Sequence, residues 1–187
     1  MLVILISFIP GMILRLIKRD IWIVAENGDD AKDNGYVFFK YAMENKTKKD
    51  IYYVITKKSI YYDKLKKYNK NLLYKNSLKH NIYTIASTKY ISSQIGSGLP
   101  FPELVFNFQG TFIYRFKSIF LQHGITQNKV KCLLKNESKV DLFCCAGNKE
   151  YDFVINELGY NEENAKKTGF CRYDLLKDES KENNKII

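Results

Sequence analysis

The chain predicts an α/β fold, a parallel sheet with helices on both faces. Two observations carry this. Short apolar runs rich in β-branched and aromatic residues (Ile21–Ala25, Ile51–Ile55, Leu72–Tyr74, Tyr90–Ser93, Ser118–Gln122, Val140–Cys145) recur along 187 residues. Between most of them lie stretches with apolar residues at helical spacing, and strands that alternate with helices form right-handed βαβ units. The chain is long enough for one domain with a real core.

Each element has its own signal. Ile21-Trp22-Ile23-Val24-Ala25 is the first strand, ended by Glu26; Asn27-Gly28-Asp29-Asp30 is a turn with Asp30 a candidate helix cap. Residues 33–45 place Tyr36, Phe39, Ala42 and Met43 at helical spacing, and residues 60–69 read as a short basic helix. Ser77 caps a helix over 77–89. Residues 94–117, with Gly96, Gly98, Pro100 and Pro102, read as a long loop holding at most a partial helix; 124–138 reads as a second loop. A helix follows at 148–158, a short strand-and-turn at 167–170, and a helix start at 172–177. Residues 177–184 are a charged linker, and the apolar Lys185-Ile186-Ile187 reads as the doorstep of a second domain.

Residues 1–19, MLVILISFIPGMILRLIKR, are too short to span a bilayer and carry Pro10-Gly11 as a break. Arg15, Lys18 and Arg19 follow the apolar run rather than precede it, which suits a membrane-surface anchor on the cytoplasmic face better than a cleavable signal. The other reading is a helix buried in the domain. The formal net charge of +10 admits nucleic acid, an anionic membrane or a phosphorylated substrate as partner. Arginines are few and lysines on exposed helices are usually solvated, so the run Lys57, Lys58, Lys64, Lys66, Lys67 argues weakly for nucleic acid. The four cysteines (Cys132, Cys144, Cys145, Cys171) show no zinc or CxxC spacing and read as reduced and buried, with Cys144 and Cys145 on opposite faces of a strand. GxGxxG, GxxxxGK[ST], HExxH and GxSxG patterns are absent, so no cofactor or metal is expected.

His123 is the catalytic candidate. It follows the apolar run Ser118–Gln122 at the kind of sheet edge where α/β proteins bind ligands, and Gly124 is expected to ease the turn. An imidazole titrates near neutral pH and can take a proton from an attacking hydroxyl. Lys129 and Lys131 stand ready to neutralise phosphate oxygens. The second histidine, His80, reads as a surface or capping residue.

Three segments together resemble one family: Asp33-Asn34-Gly35-Tyr36-Val37-Phe38-Phe39-Lys40-Tyr41, Phe120-Leu121-Gln122-His123-Gly124-Ile125-Thr126, and Thr168-Gly169-Phe170-Cys171-Arg172-Tyr173-Asp174. In this order, with Tyr52-Tyr53-Val54-Ile55 and Ser77-Leu78-Lys79-His80 between them, the chain is similar to the N-terminal half of the CDP-glycerol:poly(glycerophosphate) glycerophosphotransferases of teichoic acid synthesis. The resemblance implies a Rossmann-like, acceptor-side half of a GT-B architecture over residues 20–176, with the donor-binding half beyond Ile187. It implies transfer of glycerol or ribitol phosphate from a CDP-linked donor to the hydroxyl of a membrane-bound polymer, by a peripheral membrane enzyme that needs no nucleic acid partner. The catalytic histidine carries over to His123, and substrate binding to Asn34, Gly35, Gln122, Gly124, Lys129 and Arg172. Cys171 stands where members often carry proline. The alternative function is a non-catalytic, membrane-associated polymer-binding module.

Overall fold

The computed structural model describes residues 2–176; the expected linker and domain start at 177–187 lie outside the described residues. Seven parallel strands form one sheet in the order β3-β2-β1-β4-β5-β6-β7. They are β1 (Ile21–Ala25), β2 (Asp50–Ile55), β3 (Leu72–Tyr74), β4 (Lys89–Ser92), β5 (Lys117–Phe120), β6 (Leu142–Cys145) and β7 (Ala165–Lys167). The Rossmann-like parallel sheet expected from the sequence is therefore present. Its order reverses between β1 and β4, so loops from both sides converge at their carboxyl ends.

The helices are α1 (Leu2–Ile17), α2 (Asn34–Glu44), α3 (Tyr62–Leu65), α4 (Leu78–Ala86), α5 (Pro102–Phe108), α6 (Lys135–Ser138) and α7 (Asn148–Leu158). Alternate residues of each central strand feed opposite layers. Ile23, Ala25, Tyr52 and Val54 pack with Ile85, Ala86 and Val105 of α4 and α5, joined by Ile4 and Leu14 of α1. Val24, Tyr53 and Ile55 pack on the other face with Phe39, Ala42 and Leu65 of α2 and α3. A third cluster joins Phe120, Phe143 and Cys145 to Val154 and Leu158 of α7. Cys144 and Cys145 do fall in different layers, but Cys132 is exposed, not buried as expected.

Local departures from the sequence reading have local causes. The basic helix over 60–69 is only α3, followed by a tight 3-10 segment (Lys66–Asn71) kinked at Tyr68. The helix from Ser77 stops at Ala86, because Ser87 turns extended and Lys89 already pairs with Trp22. The loop over 94–117 contains α5, which Pro102 starts at its first position, and the loop over 124–138 contains α6. The last strand lies at Ala165–Lys167 rather than 167–170; it is an edge strand with only Ala165 buried, so it leaves no apolar run to read. The first helix cap is Asp33, not Asp30, whose carbonyl instead accepts from the Tyr53 hydroxyl at 2.7 Å.

Pro10-Gly11 does not break the N-terminal segment, and α1 runs through it. Gly11 is needed for contact: a Cβ there would lie 2.7 Å from Cγ2 of Ile85 on α4. Arg15 is buried beside it and donates to the carbonyls of Ile85, Phe112 (2.9 Å) and Ile113 (2.9 Å). The inward stripe Ser7, Gly11, Arg15 is thus small or polar, and the outward face is apolar: Leu5 (64%), Ile9 (66%), Ile13 (52%) and Leu16 (77%) are exposed. Residues 1–19 were expected to be either an anchor apart from the domain or a buried helix; α1 docks on the domain and still exposes its apolar face. Among the described residues, no helix is long and apolar enough to cross a membrane.

Candidate functional site

The site forms where the loops after β1, β4, β5 and β7 meet at the carboxyl edge of the sheet. The chain leaves β5 at Phe120 and bends at Gln122, whose φ of 65° lies in the left-handed region. Gly124, expected to ease this turn, is not strained: a Cβ on it would meet nothing within 4 Å. The left-handed residue is Gln122, and its buried side chain explains how it is held there. Its Nε2 donates to Glu150 Oε1 (3.1 Å) and to the Thr126 hydroxyl.

Glu150, in the first turn of α7, organises the far side of the loop. Its side chain is buried; Oε1 accepts the Thr126 N–H (2.6 Å) and Oε2 the Ala146 N–H (2.6 Å). Replacing Glu150 with alanine strands these donors in a buried place. We expect about 3 kcal/mol of lost stability, read as a fall in melting temperature of roughly 6–12 °C. A shift under about 2 °C would show that the carboxylate is dispensable.

Asn34 organises the near side. It is fully buried, and its Nδ2 donates to the Gln122 carbonyl at 2.8 Å while its Oδ1 accepts the Arg172 N–H at 2.9 Å. The Arg172 guanidinium spans Asp33 Oδ1 (2.6 Å) and the His123 carbonyl (2.7 Å). Gly35 is buried against β1, where a Cβ would lie 2.8 Å from the Ala25 carbonyl oxygen. Of the residues expected to meet substrate, Asn34 and Arg172 tie the His123 loop to α2 and the segment after β7, and Gly35 lets α2 pack on β1.

Beneath them, the buried Glu26 carboxylate accepts N–H groups from Lys32 (3.1 Å), Asp33 (2.8 Å) and Tyr36 (3.0 Å), fixing the start of α2. Burial pushes this carboxyl up, and the three N–H groups pull it back down. Sequence reasoning took Glu26 as a strand end and as part of the family-like Trp22…Glu26 segment, without a role; its signal was a carboxylate straight after an apolar strand and ahead of a helix start. Glu150 and Ser93 left no signal, because their partners are distant in sequence.

His123 itself is exposed. Its Nδ1 lies 3.1 Å from the Ser93 carbonyl oxygen after β4. A carbonyl only accepts, so Nδ1 is the donor, which makes Nε2 the lone-pair nitrogen of the neutral ring. The ring lines a cleft of about 700 Å³ with Gln94, Ile95, Phe106, Asn107, Glu137 and Lys139. Lys129 is not in this cleft; it pairs with Glu157 of α7 at 3.8 Å, and Lys139 is the cleft's cation. His80, expected at the surface or in a cap, is fully buried in α4, where its Nδ1 accepts the Asn76 N–H at 3.2 Å. Among the described residues, no group of three His, Cys, Asp or Glu side chains is placed to hold a metal ion.

A family model described as CDP-Glycerol:Poly(glycerophosphate) glycerophosphotransferase matches residues 9–187. The chain belongs to this family. It is 33% identical over 174 residues to the minor teichoic acid biosynthesis protein GgaB of Bacillus subtilis (strain 168), covering 91% of this chain and 19% of that protein. The fold matches structures of the wall teichoic acid polymerase TagF. One, a histidine-to-alanine variant, aligns with a TM-score of 0.57 at 12% identity, over 84% of this chain and 40% of that one. Another, soaked with CDPG, gives 0.57 at 11% identity, over 95% and 48%. The chain thus spans about a fifth of GgaB's length and under half of TagF's. The TagF structures share the fold described above.

Proposed function

We propose that this chain is the acceptor-side half of a transferase that moves a polyol phosphate from a CDP-linked donor to the terminal hydroxyl of a polymer. The observation that carries the proposal is the His123 geometry: Nδ1 held by the Ser93 carbonyl, Nε2 turned free of it, and the ring in a cleft wall within the family's His-Gly segment. In the reaction, Nε2 of His123 takes the acceptor hydroxyl's proton as its oxygen attacks the donor phosphorus. The bond to CMP breaks, and the charge leaves on CMP. Asn34 and Arg172 fix the loop that aims the ring, and Lys139 offers a cation in the same cleft.

The outward face of α1 supports a peripheral attachment. A row of leucines and isoleucines exposed to water is costly, and lying in the headgroup region of a bilayer removes that cost. Phe112, 68% exposed and edge-on to Phe8 at 5.9 Å, extends the patch. On this reading the cleft works at the cytoplasmic membrane surface, beside the membrane-bound polymer acceptor.

The test is CMP release and polymer elongation by the full gene product, given CDP-glycerol or CDP-ribitol and a membrane-bound acceptor. Turnover with one of the two donors is expected. Polymer binding without CMP release from either would overturn the transferase reading in favour of a non-catalytic binding module.

A further inference from the structure

Resting on that reading, we infer that the lysine–tyrosine surface of α3 and the 3-10 segment after it is the track along which a polyphosphodiester acceptor runs to the His123 corner. Residues 57–79 hold eight lysines against one acid, Asp63. That acid pairs with Lys66 at 2.6 Å. Among the described residues, Lys64, Lys67 and Lys70 have no ion pair, and all three are exposed. Lys64 Nζ lies 3.9 Å from the Tyr36 ring centre and 4.8 Å from that of Tyr61; Lys67 lies 4.8 Å from that of Tyr68. The ammonium groups of Lys64 and Lys67 are laid on rings rather than free in solvent. Part of the ordering cost of binding an anion is thereby already met.

Three features select the ligand. First, the rings are half-buried and covered by lysines, so nucleic acid bases have no free face to stack on, whereas phosphates need only the ammonium groups. Second, Tyr36, Tyr61, Tyr62 and Tyr68 pack into the α2 layer of the core, while α1 packs into the opposite layer. A bilayer under α1 therefore lies across the sheet from Lys64, Lys67 and Lys70, which leaves the polyanionic chain of the polymer, away from the bilayer, rather than lipid headgroups as their partner. Third, the surface is continuous with the site. Tyr36 sits in the first turn of α2, two residues after Asn34, which grips the His123 loop. Burial also pushes the Lys64 ammonium's pKa down, a penalty that a bound phosphate offsets.

The test uses labelled poly(glycerol phosphate) of defined length and fluorescence anisotropy across a salt series, with the full chain. The triple variant Lys64→Gln, Lys67→Gln, Lys70→Gln is expected to bind roughly tenfold to a hundredfold more weakly at low salt. Its log-affinity slope against log salt should fall by about 2. The α1 variant Ile9→Ser, Ile13→Ser should bind the polymer like wild type and lose affinity for phosphatidylglycerol vesicles. Failure of the wild-type chain to bind the polymer, or equal affinity in the lysine variant, overturns the track. So does a lysine variant that loses vesicle binding as much as polymer binding, or a wild-type chain that binds oligo-dT as tightly as the polymer. Turnover is read separately: a normal polymer-binding loss in the lysine variant without any CMP release by the wild-type gene product leaves the track standing and removes the transferase reading.

Discussion

Replacing His123 with alanine in the full gene product is expected to lower the transfer rate by about 10²–10⁴-fold, the range for losing a positioned general base. That is roughly 3–5 kcal/mol of barrier at about 1.4 kcal/mol per decade. The size follows from the geometry. The Ser93 carbonyl accepts the Nδ1 hydrogen bond, which favours the neutral tautomer whose Nε2 can accept a proton in the cleft. His123 is exposed and touches no core cluster, so its removal should leave the fold intact. Binding of the acceptor should change little, so the loss should sit in kcat rather than in KM. Single-turnover CMP release from CDP-glycerol separates the two, and a rate within about threefold of wild type would remove His123 from the chemistry.

Acid should begin to destabilise this protein through His80 well before ordinary carboxylates protonate. The ring is fully buried in α4, its Nδ1 already accepts the Asn76 N–H, and among the described residues its Nε2 has no partner. A proton on Nδ1 would break that bond and leave a charge in the core, with the cationic Lys75 nearby. Burial accordingly pushes the imidazole from 6.5 down to about 3. The sign follows from proton counting. Between these values the unfolded chain binds the proton and the folded chain does not, so stability falls as pH drops through the window. At about 1.4 kcal/mol per pH unit, the loss reaches roughly 4–5 kcal/mol over the whole window, a large share of the 5–15 kcal/mol typical of a domain.

Other groups act lower or in the opposite sense. Asp20, held well below the usual carboxylate range by Lys49, Thr88 and Trp22 against its own desolvation, adds acid loss only below about pH 4. Glu26, pushed up by burial, favours the folded state in acid. The decisive window is therefore pH 4.5–6.5. Urea midpoints there should drop more steeply with acid for the wild-type chain than for His80→Asn, which keeps an acceptor for Asn76 and cannot titrate; Glu26 acts alike in both. An equal slope in both would assign the acid sensitivity elsewhere.

These two histidines mark the boundary between what the sequence determined and what the tertiary structure decided. Strand cores such as Ile21–Ala25 and Leu72–Tyr74 were legible to the residue, because burial on both sheet faces writes itself as an unbroken apolar run. The α2 and α7 helices were legible from their periodicity, and His123 from its place after such a run. The short pieces were not: α5, α6 and β7 hold too few buried positions for a period to show.

The site's supports were hidden for a different reason. Asn34 reaches Gln122 across 88 residues, Arg172 reaches Asp33 across 139, and Glu150 reaches Thr126 across 24. Such pairs have no period and no spacing; they exist only once the carboxyl ends of β1, β5, β6 and β7 stand side by side. The same holds for α1. Its composition was apolar on any reading, but only docking on α4 decided that Ser7, Gly11 and Arg15 face inward and the leucines and isoleucines outward, because Gly11 alone allows the backbones to approach that closely.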